Sequence, residues 1–336
     1  MGVNSKTKEK ALSIPESADD YPYTSYARIL KEKYGKRVYR VGVDGGFSCP
    51  NRPSGRSSPG CTYCDGFGAL STYQRDGEGV EERRNLPSRL EETERQIRRG
   101  IMFLQHRYKA EFFILYFQAF SGTFDTPENL KRLYDHGLSC HPFVELVVST
   151  RPDCVDEEKA ALLRSYKTAE RDVWVELGLQ SARDATLQRI RRGHNRRCFE
   201  KAFRLLKDHG LKTAVHLIFG LPGEDWKDIE YTIRYLRDLD PEGVKIHNLH
   251  IPAGTALAEE YLSGELSVPS LPRHLDYTLK ALELLPREVV LLRLTCDTPD
   301  NRLVAPRGTW AKAFFYQQVL EEMKRRQTYQ GRLAGQ

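Results

Sequence analysis

Cys49, Cys61 and Cys64 follow the pattern C-x11-C-x2-C in the segment VGVDGGFSCPNRPSGRSSPGCTYCDGFG, residues 41–68. A pair of cysteines spaced by two residues delivers two thiolates to one metal ion or cluster. A structural zinc site usually asks for four ligands, and this loop holds three cysteines and no histidine. A thioredoxin-like dithiol would open a helix directly after a strand, with no third cysteine upstream. Three clustered thiolates fit an iron–sulfur cluster that keeps one iron open for a substrate or cofactor. Zinc remains the alternative at this stage. The intervening Gly, Pro, Ser and Arg are residues of turns and solvated loops. A glycine-rich loop also lets backbone amides approach the sulfides of a cluster and tune its potential.

The elements that must carry this loop show a repeated rhythm. Candidate strands run over residues 38–44, 112–118, 144–149, 173–179, 213–219, 244–250 and 289–295. Runs such as FFILYF and VVLLRL are apolar at consecutive positions, the pattern of strands buried on both faces of a parallel sheet. Helical patterns lie between them. Residues 90–107 carry Glu91, Glu92 and Glu94 early and basic residues late, which complements the helix dipole. Phe199, Ala202, Phe203 and Leu206 line one helical face, and Gly210 stops that helix. The alternation predicts an α/β fold, a (β/α)n barrel or part-barrel, with chemistry at the C-terminal ends of the strands. The cysteine loop begins just past the end of the first such strand.

The chain has 336 residues, 40% of them hydrophobic, enough for one large core. Its net charge of +6 is mild, so an anionic partner is compatible but not required. No apolar run approaches the ~18 residues that span a bilayer. The first twenty residues have no signal-peptide core. The protein is expected to be cytoplasmic, with no membrane partner, and residues 1–20 are expected to be a disordered tail. Seven cysteines in a reducing compartment argue against a disulfide framework. Cys140, Cys154, Cys198 and Cys296 lie apart from the loop. Cys154 follows the third strand at the catalytic edge, and the favoured reading is a packed thiol.

The loop is similar to that of the radical S-adenosylmethionine superfamily, and in particular of its YhcC-like branch, itself related to the elongator catalytic subunit. Further blocks agree in order. They are YFQAFSGTFD (116–125), VVSTRPDCV (147–155), VELGLQSARDATLQRIRRGHN (175–195), VHLIFGLPGED (215–225), VKIHNLHIPAGT (244–255) and RLTCDTPDNRLVAP (293–306). The resemblance covers roughly residues 25–325. It implies a partial (β/α)6 TIM-like barrel over residues 21–255 with a C-terminal extension over 256–330. It implies a [4Fe-4S] cluster on Cys49, Cys61 and Cys64, and S-adenosylmethionine on the open iron. It further implies reductive cleavage of that cofactor to a 5′-deoxyadenosyl radical, which removes a hydrogen atom from a substrate.

Site expectations follow from the same blocks. Tyr63, between the last two cysteines, packs against adenine or simply within its loop. Gln118, ending the second strand, bonds the methionine moiety. Ser149, Thr150 and Arg151 end the third strand, where hydroxyl and guanidinium groups hold ribose or carboxylate. Glu176 and Gln180 differ by four and so project to one face of an extended strand. A carboxylate there needs a partner, either a cofactor amine or ribose or a structural ion pair. Gly220 to Gly223 make a tight turn after the fifth strand. Arg192, in Arg-Gly-His, meets the cofactor carboxylate. Arg189, Arg191, Arg196 and Arg197 exceed that need and form either a solvated face or a phosphate-backbone contact. A tRNA base is the expected substrate class, with a small metabolite or a protein as alternatives. Flavodoxin or ferredoxin is the expected electron donor. A zinc-stabilised RNA-binding protein without redox activity is the competing class.

Overall fold

In the computed structural model of the protein, residues 21–56, 58–66, 85–296, 301–307 and 311–335 are described. The expected tail at 1–20 lies outside them, as does the middle of the last sequence block. The elements run α1 (Tyr26–Tyr34), β1 (Val38–Val43), α2 (Leu86–Tyr108), β2 (Phe112–Phe117), α3 (Pro127–Ser139), β3 (Glu145–Thr150), α4 (Glu157–Ser165), β4 (Asp172–Gln180), α5 (Asp184–Arg189) and α6 (Arg196–Asp208). They continue with β5 (Lys212–Phe219), α7 (Trp226–Leu239), β6 (Gly243–Asn248), β7 (Ile251–Pro252), α8 (Ala256–Leu262), α9 (Leu271–Leu284), β8 (Val290–Arg293), β9 (Leu303–Ala305) and α10 (Lys312–Arg325). A short 3-10 turn, Pro152–Cys154, follows β3.

Seven strands form one parallel sheet in the order β1-β2-β3-β4-β5-β6-β8. The curled sheet with its crossover helices is a partial TIM-like barrel. Expected six-stranded, the sheet gains β8 from the segment expected to be a C-terminal extension, in register with β6 through Val244 and Leu291. β7 and β9 pair antiparallel as a separate ribbon.

The period-two alternation of each strand sorts its residues between two faces. Val173, Val175, Leu177 and Leu179 of β4 join Val215, Leu217 and Phe219 of β5 and Val244 and Ile246 of β6 in the main core under the helices. Their neighbours face the lumen. Ile114, Tyr116, Val147, Trp174 and Ala214 close its N-terminal end together with Tyr26 and Leu30 of α1. That helix therefore plugs the floor, and Leu291 of the edge strand β8 donates its amide to the Thr24 carbonyl at 2.8 Å just before it. In α6 the buried face is Phe199, Ala202, Phe203 and Leu206, as the helical period predicts. Its N-cap Asn195 accepts from the Cys198 amide, a cap that replaces a missing intrahelical bond.

Candidate functional site: the cysteine loop and the barrel rim

The three cysteines sit on one loop that leaves the C-terminal end of β1, and buried arginines give that loop its shape. Arg56 donates to both carboxylate oxygens of Asp44, at 2.6 Å each, and to the Phe47 carbonyl at 2.7 Å. Arg52 donates to the carbonyls of Arg56 (2.8 Å), Cys64 (2.9 Å) and Asp65 (2.7 Å), and also to that of Ser58. The Arg52 and Arg56 guanidinium groups lie over the Phe120 ring, 5.8 and 4.3 Å from its centroid respectively. A loop without secondary structure leaves carbonyls unpaired, and a planar five-donor group answers several of them at once. Sequence reasoning missed this pair. The sequence carried no local signal for it, since arginines in a loop of turn residues read as solvated charges.

The far end of the loop is docked on the rim. The Thr62 amide donates to the Ile190 carbonyl at 3.0 Å, and the Thr62 carbonyl accepts from Leu257 at 3.1 Å. Tyr63 packs against the cluster formed by Leu187, Ile190, Ile218, Leu221 and Leu249. Burial raises its phenol well above the ordinary value.

Cys61 is buried, while Cys49 and Cys64 are partly exposed. Burial works against the Cys61 thiolate. The Arg192 and Arg151 charges, with hydrogen bonds from Arg192 and Asn51, outweigh it and lower the thiol's pKa. The sulfur lies 3.3 Å from Asn51 Nδ2, 3.7 Å from Arg192 Nη1 and 3.9 Å from Arg151 Nη1. Cys64 is raised by burial and then by the charge of Cys61, with Cys49 adding to it. Two guanidinium groups stand ready to offset a thiolate at Cys61. Among the described residues, no three His, Cys, Asp or Glu side chains converge on a single-ion position. In a [4Fe-4S] cluster each cysteine binds a different iron, so convergence on one point is not demanded. The donor set and its electrostatics fit that group.

The other expected residues surround this point at different depths. Arg151 is 3% exposed and held by both oxygens of Asp153 at 2.8 and 2.7 Å. Arg192 donates to the Gly178 carbonyl at 3.0 Å, and its Nε is buried without a partner among the described residues. A side chain at Gly178 would place its Cβ 2.6 Å from that guanidinium, so glycine is what lets Arg192 cross the sheet. Gly193, at φ +78°, turns the chain after Arg192, and a Cβ there would lie 2.6 Å from Asn51 Oδ1. Gln118 and Ser149 border the lumen from the ends of β2 and β3, both partly exposed. Thr150 faces the other way, bonded to Thr123 at 2.6 Å.

Glu176 departs from the cofactor contact expected of it. It is fully buried, and the chain itself supplies its partners. Arg40 Nη1 donates at 2.8 Å, Tyr116 Oη at 2.7 Å and Lys245 Nζ at 2.5 Å. Of the two readings open in the sequence, the structure therefore takes the ion pair. The shared face expected for Glu176 and Gln180 is also altered. The register with β5 shifts between Gly178 and Gln180, and Gln180 adopts φ +76°. This irregularity lifts Gln180 to the rim, where its Oε1 is buried without a partner among the described residues.

The arginine run splits. Arg189 pairs with Glu260, and Arg196 donates to Tyr231 Oη at 2.6 Å and lies 5.2 Å from the Tyr235 ring centroid. Arg192 of the run reaches the cysteine loop with its side chain, and Arg191 with its carbonyl, which accepts from Asn51 Nδ2 at 2.7 Å. Cys154 is buried, and burial, with the Asp153 charge, pushes its thiol up to about 12. It is a packed neutral thiol. No described helix is long and apolar enough to cross a membrane.

Three cysteines on one loop at the C-terminal edge of a partial TIM-like barrel are the setting in which the sequence comparisons find their match. Residues 49–236 match the radical SAM superfamily, and residues 241–325 match its C-terminal domain. The chain belongs to the radical SAM superfamily, whose members are enzymes that bind a [4Fe-4S] cluster and S-adenosylmethionine. Among its relatives is protein YhcC of Escherichia coli strain K12, 34% identical over 280 residues, covering 82% of this chain and 84% of the relative. It thus falls in the YhcC-like branch. The solved structure of Methanocaldococcus infernus Elp3 lacking its N-terminus superposes with a TM-score of 0.61 at 24% identity, covering 71% of this chain and 60% of that one. A tRNA uridine(34) acetyltransferase of Methanocaldococcus jannaschii is 32% identical over 168 residues, 49% of this chain and 30% of the relative.

Proposed function

We propose that this radical SAM enzyme acts on a tRNA base. The cluster is held by Cys49, Cys61 and Cys64. When bound, it supplies the electron that cleaves S-adenosylmethionine to methionine and a hydrogen-abstracting 5′-deoxyadenosyl radical. The observation that carries the reading is the buried Cys61 thiol, lowered against its own burial by Arg192, Arg151 and Asn51. Arg192 and Arg151 then have two tasks. They stabilise the thiolate, and their remaining donors face the place where the cofactor carboxylate docks. Gln118, Ser149 and Gln180 offer hydroxyl and amide groups to the methionine and ribose portions. Tyr63 offers an aromatic wall beside adenine. The apolar cluster beneath Tyr63 keeps water from that side.

The substrate class rests on separate support. The chain is net basic by six charges, and Arg191 and Arg197 stand exposed beside the rim. Relatives named for tRNA uridine(34) chemistry share half the chain. The reaction is expected to need an external one-electron donor of flavodoxin or ferredoxin type.

The test is anaerobic. Wild type and Cys61→Ala are reconstituted with iron and sulfide, reduced, given S-adenosylmethionine with and without bulk tRNA, and assayed for 5′-deoxyadenosine. Product from wild type alone, increased by tRNA, is the expected result. A wild type with a full cluster that makes none, with or without tRNA, overturns the reading. Cleavage indifferent to tRNA, together with no tRNA binding at low salt, where phosphate contacts are strongest, overturns the substrate class only.

A further inference from the structure

Below the cysteine loop the lumen carries a row of side chains that the cofactor assignments leave unused. Strand register aligns Gly178 of β4 with His216 of β5, His216 with Lys245 of β6, and Lys245 with Arg293 of β8. His247, the next inward residue of β6, stands over this row, with its ring centroid 4.1 Å from that of His216. Arg293 Nη1 lies 3.4 Å from His247 Nε2. The Arg293 charge reaches Tyr116, His216, Lys245 and His247, so all five side chains border one space. His216, His247 and Arg293 are each partly exposed, which makes them wall rather than core.

The charge balance of this space is uneven. Glu176 is shared between Arg40 and Lys245. Arg293 adds a further cation, and among the described residues no carboxylate pairs with it. His216 Nε2 is buried with no partner there either. An imidazole nitrogen buried without a partner, beside a cation that no carboxylate among the described residues neutralises, is costly unless a ligand answers both. Burial, then the Lys245 charge, holds the His216 imidazole well below its ordinary value. Burial, then the His216 and Arg293 charges, does the same for His247. Both rings are therefore neutral, and each brings one N–H donor. A guanidinium fork flanked by neutral N–H donors is a receptor for an oxyanion.

We propose that this row is the substrate side of the active site, and that Arg293, His216 and His247 grip an oxyanion, a carboxylate or a phosphate, on the part of the substrate that enters the lumen. The inference rests on the radical reading for its position relative to the cofactor. Arg293 supplies the bidentate contact and His216 the lateral donor. Arg293 also donates to His247 Nε2, which fixes that ring's tautomer and leaves its Nδ1–H as donor. The floor below them is already closed by the Glu176 ion pairs, so the anion stops at this row. The C–H bonds next to it are thereby held at one depth in the lumen.

The experiment uses reconstituted enzyme with its cluster oxidised, so that S-adenosylmethionine binds without being cleaved. With the cofactor at saturation, inorganic phosphate and, separately, acetate are titrated by calorimetry into wild type, Arg293→Met and Arg293→Lys. Saturable binding to wild type is expected, weakened by about tenfold or more in Arg293→Met and less in Arg293→Lys. Phosphate or acetate as the tighter probe tells which oxyanion the site prefers. Absence of saturable binding to wild type overturns the proposal. So does equal binding to Arg293→Met with an unchanged circular dichroism spectrum and iron content. Anion binding that appears only without S-adenosylmethionine also overturns it, because the row would then hold the cofactor's own carboxylate. If Arg293→Met does not fold, His216→Ala is expected to show the same weakening and is read in the same way. Failure of the radical reading shows differently. Reduced wild type would then make no 5′-deoxyadenosine while the anion titration stood unchanged.

Discussion

Buried charge occurs at two levels of the same lumen. At the floor, Glu176 is enclosed by Arg40, Lys245 and Tyr116, and no polar atom of its carboxylate faces open space. At the rim, Arg192 keeps a buried Nε without a partner among the described residues, Gln180 keeps a buried Oε1, and the Cys61 thiol is lowered against its own burial by neighbouring guanidinium groups. The floor is built from inward positions of β1, β2, β4 and β6, whereas at the rim only Gln180 belongs to a strand and Cys61 and Arg192 come from loops. The two also differ in whether the chain closes its own hydrogen bonds. A closed network rigidifies the barrel, and an open one is completed by a ligand. Residue type alone does not tell the two apart, since each level has its carboxylate or thiol and its guanidinium groups.

The sharpest way to break this contrast is at the floor. Glu176→Ala leaves Lys245 and Arg40 buried without their anion and is expected to cost ~3–5 kcal/mol of stability in denaturant unfolding. S-adenosylmethionine affinity of the folded fraction should stay near that of wild type. Unchanged stability with a large loss of cofactor affinity would move Glu176 back among the cofactor contacts.

A second test lies in the loop after β5, beside Gly223. Burial pushes the Glu224 carboxyl up to about 7, against hydrogen bonds from Ser181 and Thr186. Its folded value is thus above the ordinary 4.5, and the folded state holds the proton more tightly than the unfolded chain. The sign follows. The stabilising contribution is whole below about pH 4.5 and is lost as pH rises through about 7. Wild type is therefore expected to lose ~2 kcal/mol relative to Glu224→Gln between these limits, after allowing for solvent at this partly exposed group. Parallel pH profiles for the two proteins would show that the site titrates normally.

The smallest effect is expected from Asn51. Its amide bridges Cys61 Sγ and the Arg191 carbonyl, the latter at 2.7 Å. Asn51→Ala should retain the fold and the cluster but release iron to a chelator about tenfold more readily, as outer contacts of metal ligands commonly do. Equal release would limit Asn51 to shaping the loop.

Several features were open to reading in the residues themselves. Apolar runs such as FFILYF and VVLLRL placed strands, and the apolar stripe of Phe199, Ala202, Phe203 and Leu206 with the Gly210 stop placed a helix. The spacing of Cys49, Cys61 and Cys64 pointed to a cluster, whereas Arg192 was singled out only by the resemblance of its Arg-Gly-His to the family pattern. These are local signals, set by backbone period and by the coordination habits of thiolates. Other features depend on residues brought together from afar. Nothing near Glu176 in the chain announces Arg40 or Lys245 as its partners. Arg52 and Arg56 look like solvated loop charges until their carbonyl acceptors surround them. His216, His247 and Arg293 each read as one polar residue on an otherwise apolar strand.

The sequence by itself determined the strand and helix periods, the sheet's doubly buried character and the three thiols that begin the site, because each depends on neighbours a few positions apart. The tertiary structure alone decided which buried polar groups are paired within the chain and which keep an atom without a partner among the described residues. That outcome turns on the lateral register of seven strands and on one irregularity in β4, and hydrogen bonds across a sheet connect residues whose separation along the chain carries no trace of the pairing.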